Sequence, residues 1–447
     1  MLDNVTDRYV YTGAWDVPVS TMKIAQARPF GQNYAFVVVG VIFLSLLAAA
    51  GLRATPGVLI LPLESSFGWS RDTISVAAAN GIFLYGMVGP FAAALMQSFG
   101  IRRTLVGALA LMAVSTASSS FMTQPWHLVL TWGVLSGLGS GCVAIVLGAT
   151  VVNRWFVSHR GLVMGILTAS TATGTLIFLP GLAAIASTAG WRPVVLTIAV
   201  ATAAMIPLVL LLLPERPEDT GLVPYGATSA TAPQTGPRRD PLRAAFDGLA
   251  RGVKSRDFWF LFGTFYICGF TTNGLVGTHL IALCGDRGIA EVNAAGLLAL
   301  MGVFDLFGTT LSGWLTDRFD ARKLLFMYYG LRGLSLVYLP FSDFSVTELS
   351  AFAVFYGLDW IATVPPTLKL TTAAFGGRDA PVIFGWIAAG HQIGAASAAF
   401  FAGAMRTAQG DYFNAFVIAG MTGVAAAVIS LLIRGARVPG AGARVTS

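Results

Sequence analysis

Long apolar runs recur along almost the whole chain, and they restrict its possible folds more than any other feature. A helix needs about 20 consecutive apolar residues to cross the hydrocarbon core of a bilayer. Runs of roughly this length lie at 34–62, 73–97, 104–122, 126–152, 161–187, 192–213, 258–283, 292–316, 323–342, 346–370, 381–405 and 412–434. The sequence therefore predicts an all-α membrane protein with twelve transmembrane helices.

The distribution of charge agrees with an exterior that faces lipid. Only 11% of the 447 residues are charged, whereas a soluble chain carries roughly a quarter. The net charge of +7 does not indicate nucleic-acid binding, because the basic residues lie in short loops and no basic helix is interleaved with aromatic residues. We therefore expect the lipid bilayer as the main partner and no nucleic acid.

No sequence pattern predicts a cofactor, a metal site or an enzyme active site. Cys142, Cys268 and Cys284 are isolated in or beside apolar runs, without metal-ligand or redox spacing. Cysteines in such surroundings usually act as small packing residues. No loop presents a nucleophile beside a base, or a phosphate cradle, so we expect a function other than catalysis.

The apolar runs divide into two groups of six. They predict an N-terminal six-helix bundle over 34–213 and a C-terminal six-helix bundle over 258–434, joined by a linker over 214–257. The linker is rich in proline and arginine, a composition that neither continues an apolar helix nor buries a core. The polar segment 1–33 lacks the apolar core of a cleavable signal peptide, and a short tail, 435–447, follows the last run.

The basic residues of the loops are concentrated on one side of the predicted bundle. That side holds the linker cluster together with Arg102, Arg103, Arg154, Arg160, Arg318, Arg322, Lys323 and Arg378. The loops of the opposite side hold only Arg71, Arg192, Arg287 and Arg406. By the positive-inside rule, the linker and both termini are predicted to be cytoplasmic, in a multi-pass protein of the cell membrane.

An internal repeat relates the two groups of runs. At an offset of 220 residues, the loop 97–103 aligns with the loop 317–323, and Gly165 aligns with Gly385. Two distant matches at one offset indicate duplicated six-helix halves.

Several motifs carry a resemblance to a known family. The stretch Gly313-Trp314-Leu315-Thr316-Asp317-Arg318-Phe319-Asp320-Ala321-Arg322-Lys323 resembles G-x-x-x-D-R-x-G-x-R-R, the signature loop of the major facilitator superfamily. A second group of motifs is similar to the monocarboxylate porter branch and its neighbour, the oxalate/formate exchangers: Phe67-Gly68-Trp69-Ser70-Arg71, the glycine run 133–141, Arg154-Trp155-Phe156 and Gly190-Trp191-Arg192. The resemblance implies the major facilitator fold, with two pseudo-symmetric six-helix bundles, and covers the whole membrane portion.

This resemblance also implies a function. It predicts a secondary transporter that moves a small organic anion, of the monocarboxylate kind, by alternating access, either coupled to protons or in exchange for a counter-anion. It further implies a gating latch formed by Asp317, Arg318 and Arg322. Two departures bear on the latch: Asp320 replaces the usual glycine, and the first copy of the loop has Gln97 and Ser98 in place of Asp-Arg.

A few ionisable residues interrupt the apolar runs, and such residues usually mark functional sites in membrane proteins. Arg53, Asp305, Asp359 and His391 all fall on helices that the resemblance places around the central cavity. Arg53 could hold a carboxylate, or it could pair with one of the two acids. Asp305 and Asp359 are the predicted proton-coupling residues. The predicted substrate-binding residues are Arg53, Asn80, Tyr85, Asn273, His391 and Gln392.

Departures from the branch leave the substrate open. Monocarboxylate porters typically carry a lysine where this chain has Gly57 and an arginine where it has Thr309. Arg53, one turn before Gly57, could take over the anion contact. Two alternatives remain: a drug or metabolite efflux antiporter, whose fifth-span motif is half matched around Gly165 and Gly174, and a membrane sensor that does not transport.

The glycines of the fourth and fifth runs predict close contacts between helices. Gly133, Gly137 and Gly141 recur every fourth residue in the fourth run, and Gly161 and Gly165 begin the fifth. Small residues at this spacing let membrane helices approach closely. We expect these contacts to be the ones that slide during transport.

Overall fold

A computed structural model describes residues 33–227 and 241–434, and almost all of these residues are helical. The predicted N-terminal segment up to residue 32, the middle of the predicted linker and the predicted tail 435–447 lie outside the described residues. Within the described residues, nine helices are long and apolar enough to span a membrane. Twelve long helices are present in the described chain, one for each predicted run.

Six of these helices form the first half. They are α1 (Tyr34–Phe67), α2 (Arg71–Phe99), α3 (Ile101–Ser119), α4 (Pro125–Trp155), α5 (Arg160–Ala189) and α6 (Trp191–Leu212). The connections are short because residues such as Gly68 and Gly190 adopt a positive φ, which ends one helix and turns the chain directly into the next.

The second half follows a linker helix, Pro241–Gly252. Its helices are α7 (Arg256–Asp286), α8 (Glu291–Arg318), α9 (Ala321–Tyr338), α10 (Val346–Asp359, resuming at Val364), α11 (Asp379–Gln409) and α12 (Phe413–Ser430). Gly376 has a φ of 75° and separates α10 from α11. The linker helix packs between the halves, because the ring of Phe246 lies 6.4 Å from that of Phe91 on α2 and 5.9 Å from that of Trp386 on α11.

Four helices at corresponding places in the two halves are irregular. α1 contains Pro56 and Pro62, and α7 contains a π-helical turn over Phe270–Val276. α4 has a π-helical turn over Val129–Leu135 and unwinds briefly afterwards, and α10 unwinds over 360–363. These are the helices that the family resemblance places around the cavity. Irregular backbone at this depth needs internal partners, since lipid offers none.

The halves contact each other along three helix pairs: α1 with α7, α2 with α11 and α5 with α8. We call the face that holds the α1–α2 connection the Arg71 side. The opposite face, which holds the α2–α3 and α8–α9 connections and the start of the linker, is the linker side. On the Arg71 side of the midplane α1 meets α7 at backbone distance, because a Cβ added to Gly57 would lie 3.0 Å from the carbonyl oxygen of Gly277.

The predicted close approach of helices is found at the glycines of α4 and is not found at Gly165 of α5. A Cβ on Gly137 would lie 2.9 Å from the carbonyl oxygen of Gly81 on α2, and one on Gly133 would lie 3.2 Å from that of Ala77. A Cβ on Gly165 would meet open space. Because α2 and α4 belong to the same half, the glycines of α4 pack that half tightly and do not form a sliding surface between the halves.

Candidate functional site

A partly buried arginine, Arg53, lies in the middle of α1. The side chain of Arg53 is partly buried, and its Cζ lies 4.9 Å from the ring centroid of Tyr85, the central residue of α2. This geometry is a cation–π contact, which offsets only part of the cost of a charge at this depth. The Nη1 atom of Arg53 is buried and makes no hydrogen bond with any described residue.

The possible pairing of Arg53 with an acid of the second half is not found. No ion pair that the described residues form includes Arg53. Asp359 pairs with another arginine, and Asp305 accepts hydrogen bonds from neutral groups. The two acids therefore have partners within the second half, and neither faces Arg53.

Two of the predicted polar residues lie on or against α2, the helix that carries Tyr85. Gln392 of α11 packs on Gly86, the neighbour of Tyr85, so closely that any side chain at position 86 would meet it. Asn80 is partly buried on α2 and packs on α4, where its Cβ would lie 3.1 Å from a Cβ added to Gly133. Arg53 and Tyr85 therefore face each other within the first half, and Gln392 brings α11 of the second half against α2 one residue beyond Tyr85.

The other two predicted polar residues lie elsewhere. The ring of His391 points to α7, with its centroid 4.9 Å from that of Phe265, and its backbone contacts Gly269. Asn273 is in the π-helical turn of α7, where its carbonyl accepts a hydrogen bond of 2.9 Å from the Thr278 hydroxyl. These two residues therefore take part in the packing of α7 and its irregular turn.

The irregular segment of α10 is held by Arg332 of α9. Arg332 Nε lies 2.5 Å from Asp359 Oδ2, and Nη2 donates to the carbonyl oxygens of Asp359 and Trp360. Nη1 lies 3.0 Å from the sulfur of Cys268. Both charged side chains are buried, with exposed fractions of 0% and 8%. The arginine thus neutralises one acid and satisfies two carbonyls that the break in the helix leaves free.

Asp305 of α8 holds the same break from the other side. Its Oδ1 accepts hydrogen bonds from the Thr309 hydroxyl at 2.9 Å and from the backbone N–H of Ile361, in the unwound turn, at 3.0 Å. The residue is buried, and no described cation is within ion-pair distance of it. Asp305 is therefore a buried acid supported only by neutral donors, while Asp359 is locked in an ion pair.

The signature loop pairs differently from the sequence-based expectation. Asp320, the residue that replaces the usual glycine, pairs with Arg322 through distances of 2.6 Å (Oδ2–Nη2) and 3.1 Å (Oδ1–Nε). Arg322 holds the pKa of this carboxyl below its usual range. Asp317 is exposed and lines a cavity of about 620 Å³ with Lys369. Arg318 stacks on Trp314, with its Cζ 4.1 Å from the ring centroid.

The degraded first copy of the loop has a substitute acid. Glu215, just after α6, accepts hydrogen bonds from the backbone N–H groups of Ile101 at 2.7 Å and Arg102 at 2.9 Å. Its carboxylate also lies 3.7 Å from Nη1 of Arg154. Sequence reasoning missed this residue because it is more than a hundred positions from the helix start that it caps.

The described residues contain no group of three or more histidine, cysteine or acidic side chains placed to hold a metal ion. Two sets of polar groups lie near the middle of the helices. One set is Arg53, which makes no described ion pair, with Tyr85 of the same half. The other set is the pair of acids and the arginine that hold the break in α10.

Residues 41–367 match the Major Facilitator Superfamily. The chain is 28% identical over 330 residues to the MFS-type transporter YcxA of Bacillus subtilis, covering 69% of this chain and 72% of the relative. It is 26% identical over 388 residues to Monocarboxylate transporter 13 of Rattus norvegicus, covering 86% of this chain and 85% of the relative.

A solved structure shares the fold. It is a bacterial homologue of the human lysosomal transporter Spinster in an inward-facing, unoccupied conformation. It aligns with 90% of this chain and 95% of its own length, at a TM-score of 0.69 and 15% identity. The similarity therefore extends over both six-helix halves.

Proposed function

Since the chain belongs to the Major Facilitator Superfamily and is a transporter, not an enzyme, we propose that it moves a small organic anion of the monocarboxylate class across the cell membrane. Transport proceeds by alternating access, with the two halves rocking about a site near the midplane. The relatives named monocarboxylate transporters support this substrate class, and so does the chemistry of the region around Arg53.

The unpaired guanidinium of Arg53 is the observation that carries the proposal. A charged side chain at the centre of a membrane helix costs about 2.5–3.5 kcal/mol on insertion scales. In this region the ring of Tyr85 offers a partial partner, and the buried Nη1 has none among the described residues. A substrate carboxylate would supply the missing acceptor, and the planar guanidinium suits a bidentate contact.

The neighbouring residues complete the proposed substrate site. Tyr85 holds the guanidinium plane, and the amide of Gln392 can donate to a second substrate oxygen. Asn80 and His391 are secondary candidates, because their described contacts place them against neighbouring helices. Asn273 is a third, because its carbonyl is engaged within the irregular turn of α7. The lysine and arginine typical of the monocarboxylate porters are absent at Gly57 and Thr309, so Arg53 supplies the cation in this scheme.

Asp305 is the proposed site of the coupling proton. Its hydrogen bonds come only from Thr309 and the N–H of Ile361, so it can take up a proton without breaking an ion pair. Protonation weakens its bond to the unwound turn of α10 and thereby links the proton to the conformation of a cavity helix. Asp359, the second predicted coupling residue, serves mainly to hold Arg332 in this scheme.

On the proposed topology the linker side is cytoplasmic, together with both termini, as the basic residues of the loops indicate. The signature loop lies on that side. We assign the gating contact to Arg322 with Asp320, which replaces the predicted acid Asp317 as its partner. Asp317 and Arg318 remain available to pair in another conformation of the cycle.

Uptake into liposomes tests the proposal. Purified protein is reconstituted, and the uptake of lactate, pyruvate, oxalate and formate is measured with and without a pH gradient in which the outside is acidic. Acid-driven uptake of one anion would indicate proton symport, and uptake that needs an internal counter-anion would indicate exchange. Absence of uptake of all four under both conditions, in protein that remains monodisperse, would contradict the anion proposal and favour the efflux alternative.

A matched pair of arginine variants shows whether the site is at Arg53. Arg53→Gln should abolish the uptake. Arg192→Gln should leave it unchanged, although Arg192 also stacks on an aromatic ring, with its Cζ 4.6 Å from the centroid of Trp191. Arg192 is exposed at the start of α6, so the comparison separates the central site from a general effect of losing a stacked arginine.

A further inference from the structure

A network of ion pairs joins the two halves on the Arg71 side. Arg71 begins α2, yet its side chain is only 4% exposed. Its Nη2 and Nη1 lie 2.7 Å and 2.9 Å from the two carboxylate oxygens of Asp286, the last residue of α7. Nε donates to Glu64 at 2.9 Å, and Asp286 also accepts from Arg406 Nε at 2.7 Å. Asp286 is thus held by one arginine from each half.

Further contacts between the halves surround this network. The backbone N–H of Asp72 donates to the Thr407 hydroxyl at 3.2 Å, and that hydroxyl donates back to the Asp72 carboxylate at 3.2 Å. A Cβ on Gly403 of α11 would lie 2.9 Å from the carbonyl oxygen of Arg71. The first half therefore cannot part from the second on this side without breaking the network.

A buried histidine is connected to the network through a tyrosine. His279 of α7 is fully buried, and its Nε2 lies 2.8 Å from the carbonyl oxygen of Ala399. Its Nδ1 lies 3.1 Å from the hydroxyl of Tyr412. That hydroxyl is in turn 3.3 Å from Nη1 of Arg71. The three side chains and the carbonyl form one chain of hydrogen bonds.

The direction of the donors requires a neutral imidazole. A carbonyl only accepts, so Nε2 of His279 carries the ring proton, and Nδ1 accepts from the Tyr412 hydroxyl while that oxygen accepts from Arg71. If Nδ1 also carried a proton, His279 and Arg71 would both donate to the Tyr412 oxygen. The phenolic proton of Tyr412 would then lose Nδ1 as its acceptor. Protonation of His279 would also place a second cation near Arg71.

No described acid lies within ion-pair distance of His279 to offset such a charge. The charged and titratable residues of the elements around this histidine, at its end of the bundle, are Glu64, Arg71, Asp72, Cys284, Asp286, Glu291, Arg406 and Tyr412. Glu64 and Asp286 are both engaged by arginines. Glu291, at the start of α8, makes no described ion pair.

We propose that Arg71 and Asp286 form a latch that closes the Arg71 side of the transport path, and that protonation of His279 releases it. Because the proposed topology makes this side extracellular, acid outside the cell would favour the outward-open state, in which the substrate site can load. The latch depends on the alternating-access cycle of the proposed function but on no particular substrate, so it can be tested without one.

The test measures the separation of the halves directly. Cysteines replace Ser66, beyond the latch on α1, and Ala408, at the end of α11, in a chain whose native cysteines have been replaced; both positions are exposed. Spin labels are attached to these two cysteines in purified protein reconstituted into nanodiscs. Pulsed electron paramagnetic resonance then measures the distribution of distances between the two labels. We expect a short distance at about pH 7.5 and roughly a tenfold rise in the ratio of long to short distances at about pH 5.5.

Three variants test the separate parts of the latch. Asp286→Asn and Arg71→Gln should each give the long distance already at the higher pH. His279→Gln, which does not titrate, should keep the same distribution at both pH values. The matched control is His127→Gln, which removes a histidine at the partly exposed start of α4 and should leave the acid response intact.

Clear results would overturn the proposal. An unchanged short distance in Asp286→Asn, in protein that elutes as one peak on size exclusion, would mean that the network does not hold the halves. An acid response that persists in His279→Gln would mean that another group senses pH. Neither result would affect the assignment of Arg53 as the anion site, which the uptake of anions tests separately.

Discussion

Asp305 and Asp359 are both buried acids of the second half, but their replacement with asparagine should have different effects. Asp359→Asn should destabilise the fold, whereas Asp305→Asn should leave the fold stable and remove proton coupling. Asp359 is ion-paired to Arg332 at 2.5 Å, so Asp359→Asn leaves a buried guanidinium without its counter-charge. Asp305 accepts only from a hydroxyl and a backbone N–H. The amide oxygen of asparagine can accept both of these hydrogen bonds, so Asp305→Asn preserves the contacts of the folded state.

The magnitudes follow from these contacts. Removing one partner of a buried ion pair costs about 3–5 kcal/mol, and for a unit the size of a six-helix half about 2–4 °C is lost per kcal/mol. Asp359→Asn should therefore lower the melting temperature by roughly 6–20 °C. Asp305→Asn exchanges a charged acceptor for a neutral one, at a cost of about 1 kcal/mol or less, and should change the melting temperature by about 4 °C at most.

Two assays separate the outcomes. Thermal unfolding of the purified protein, followed by tryptophan fluorescence, gives the change in stability. Liposome uptake gives the change in coupling: Asp305→Asn should lose acid-driven uptake but keep exchange of labelled for unlabelled anion, because only the proton site is removed. If Asp305→Asn were as unstable as Asp359→Asn, or retained full acid-driven uptake, the division of roles between the two acids would be refuted.

Two further predictions concern packing and pH. Gly137→Leu should sharply reduce the yield of monodisperse protein, because the leucine side chain would clash with the carbonyl of Gly81 in the same half. Gly165→Leu should express normally, because position 165 faces open space. Fluorescence-detected size-exclusion chromatography compares the two variants. The pKa of Asp320 is lowered by Arg322, so the pair stabilises the fold above the unfolded pKa of about 4 and loses that contribution only as the pH falls through the lower folded value. The difference in melting temperature between the wild-type protein and Asp320→Asn should therefore be constant from about pH 8 to about pH 5 and shrink below about pH 4.

The fold could be predicted from the sequence because its signal is long and repeated. Twelve apolar runs, a basic linker and a loop repeated at a fixed offset indicate the architecture without any knowledge of side-chain contacts. The depth of Arg53 and Asp305 could be read in the same way, since depth depends only on the position within a run. The domain boundaries and the orientation stay predictions.

The partners of the site residues could not be predicted, because they depend on helix rotation. The sequence allowed Arg53 to pair with either acid, but Arg332 of α9 pairs with Asp359, and the backbone N–H of Ile361 in the break of α10 donates to Asp305. Asp320 departs from the motif in the sequence, yet in the structure it is the acid that pairs with Arg322. From the sequence alone Arg71 is only a loop charge and a motif residue, because its partner Asp286 is 215 positions away.

The central claim is that Arg53 holds the carboxylate of the transported anion. The most direct test measures the binding of lactate and pyruvate by isothermal titration calorimetry. The purified wild-type, Arg53→Gln and Arg192→Gln proteins are compared. We expect saturable binding that Arg192→Gln retains and that Arg53→Gln weakens at least tenfold, a loss of about 1.4 kcal/mol or more. The claim would be contradicted if Arg53→Gln bound the anions with the affinity of the wild-type protein and had the same melting temperature.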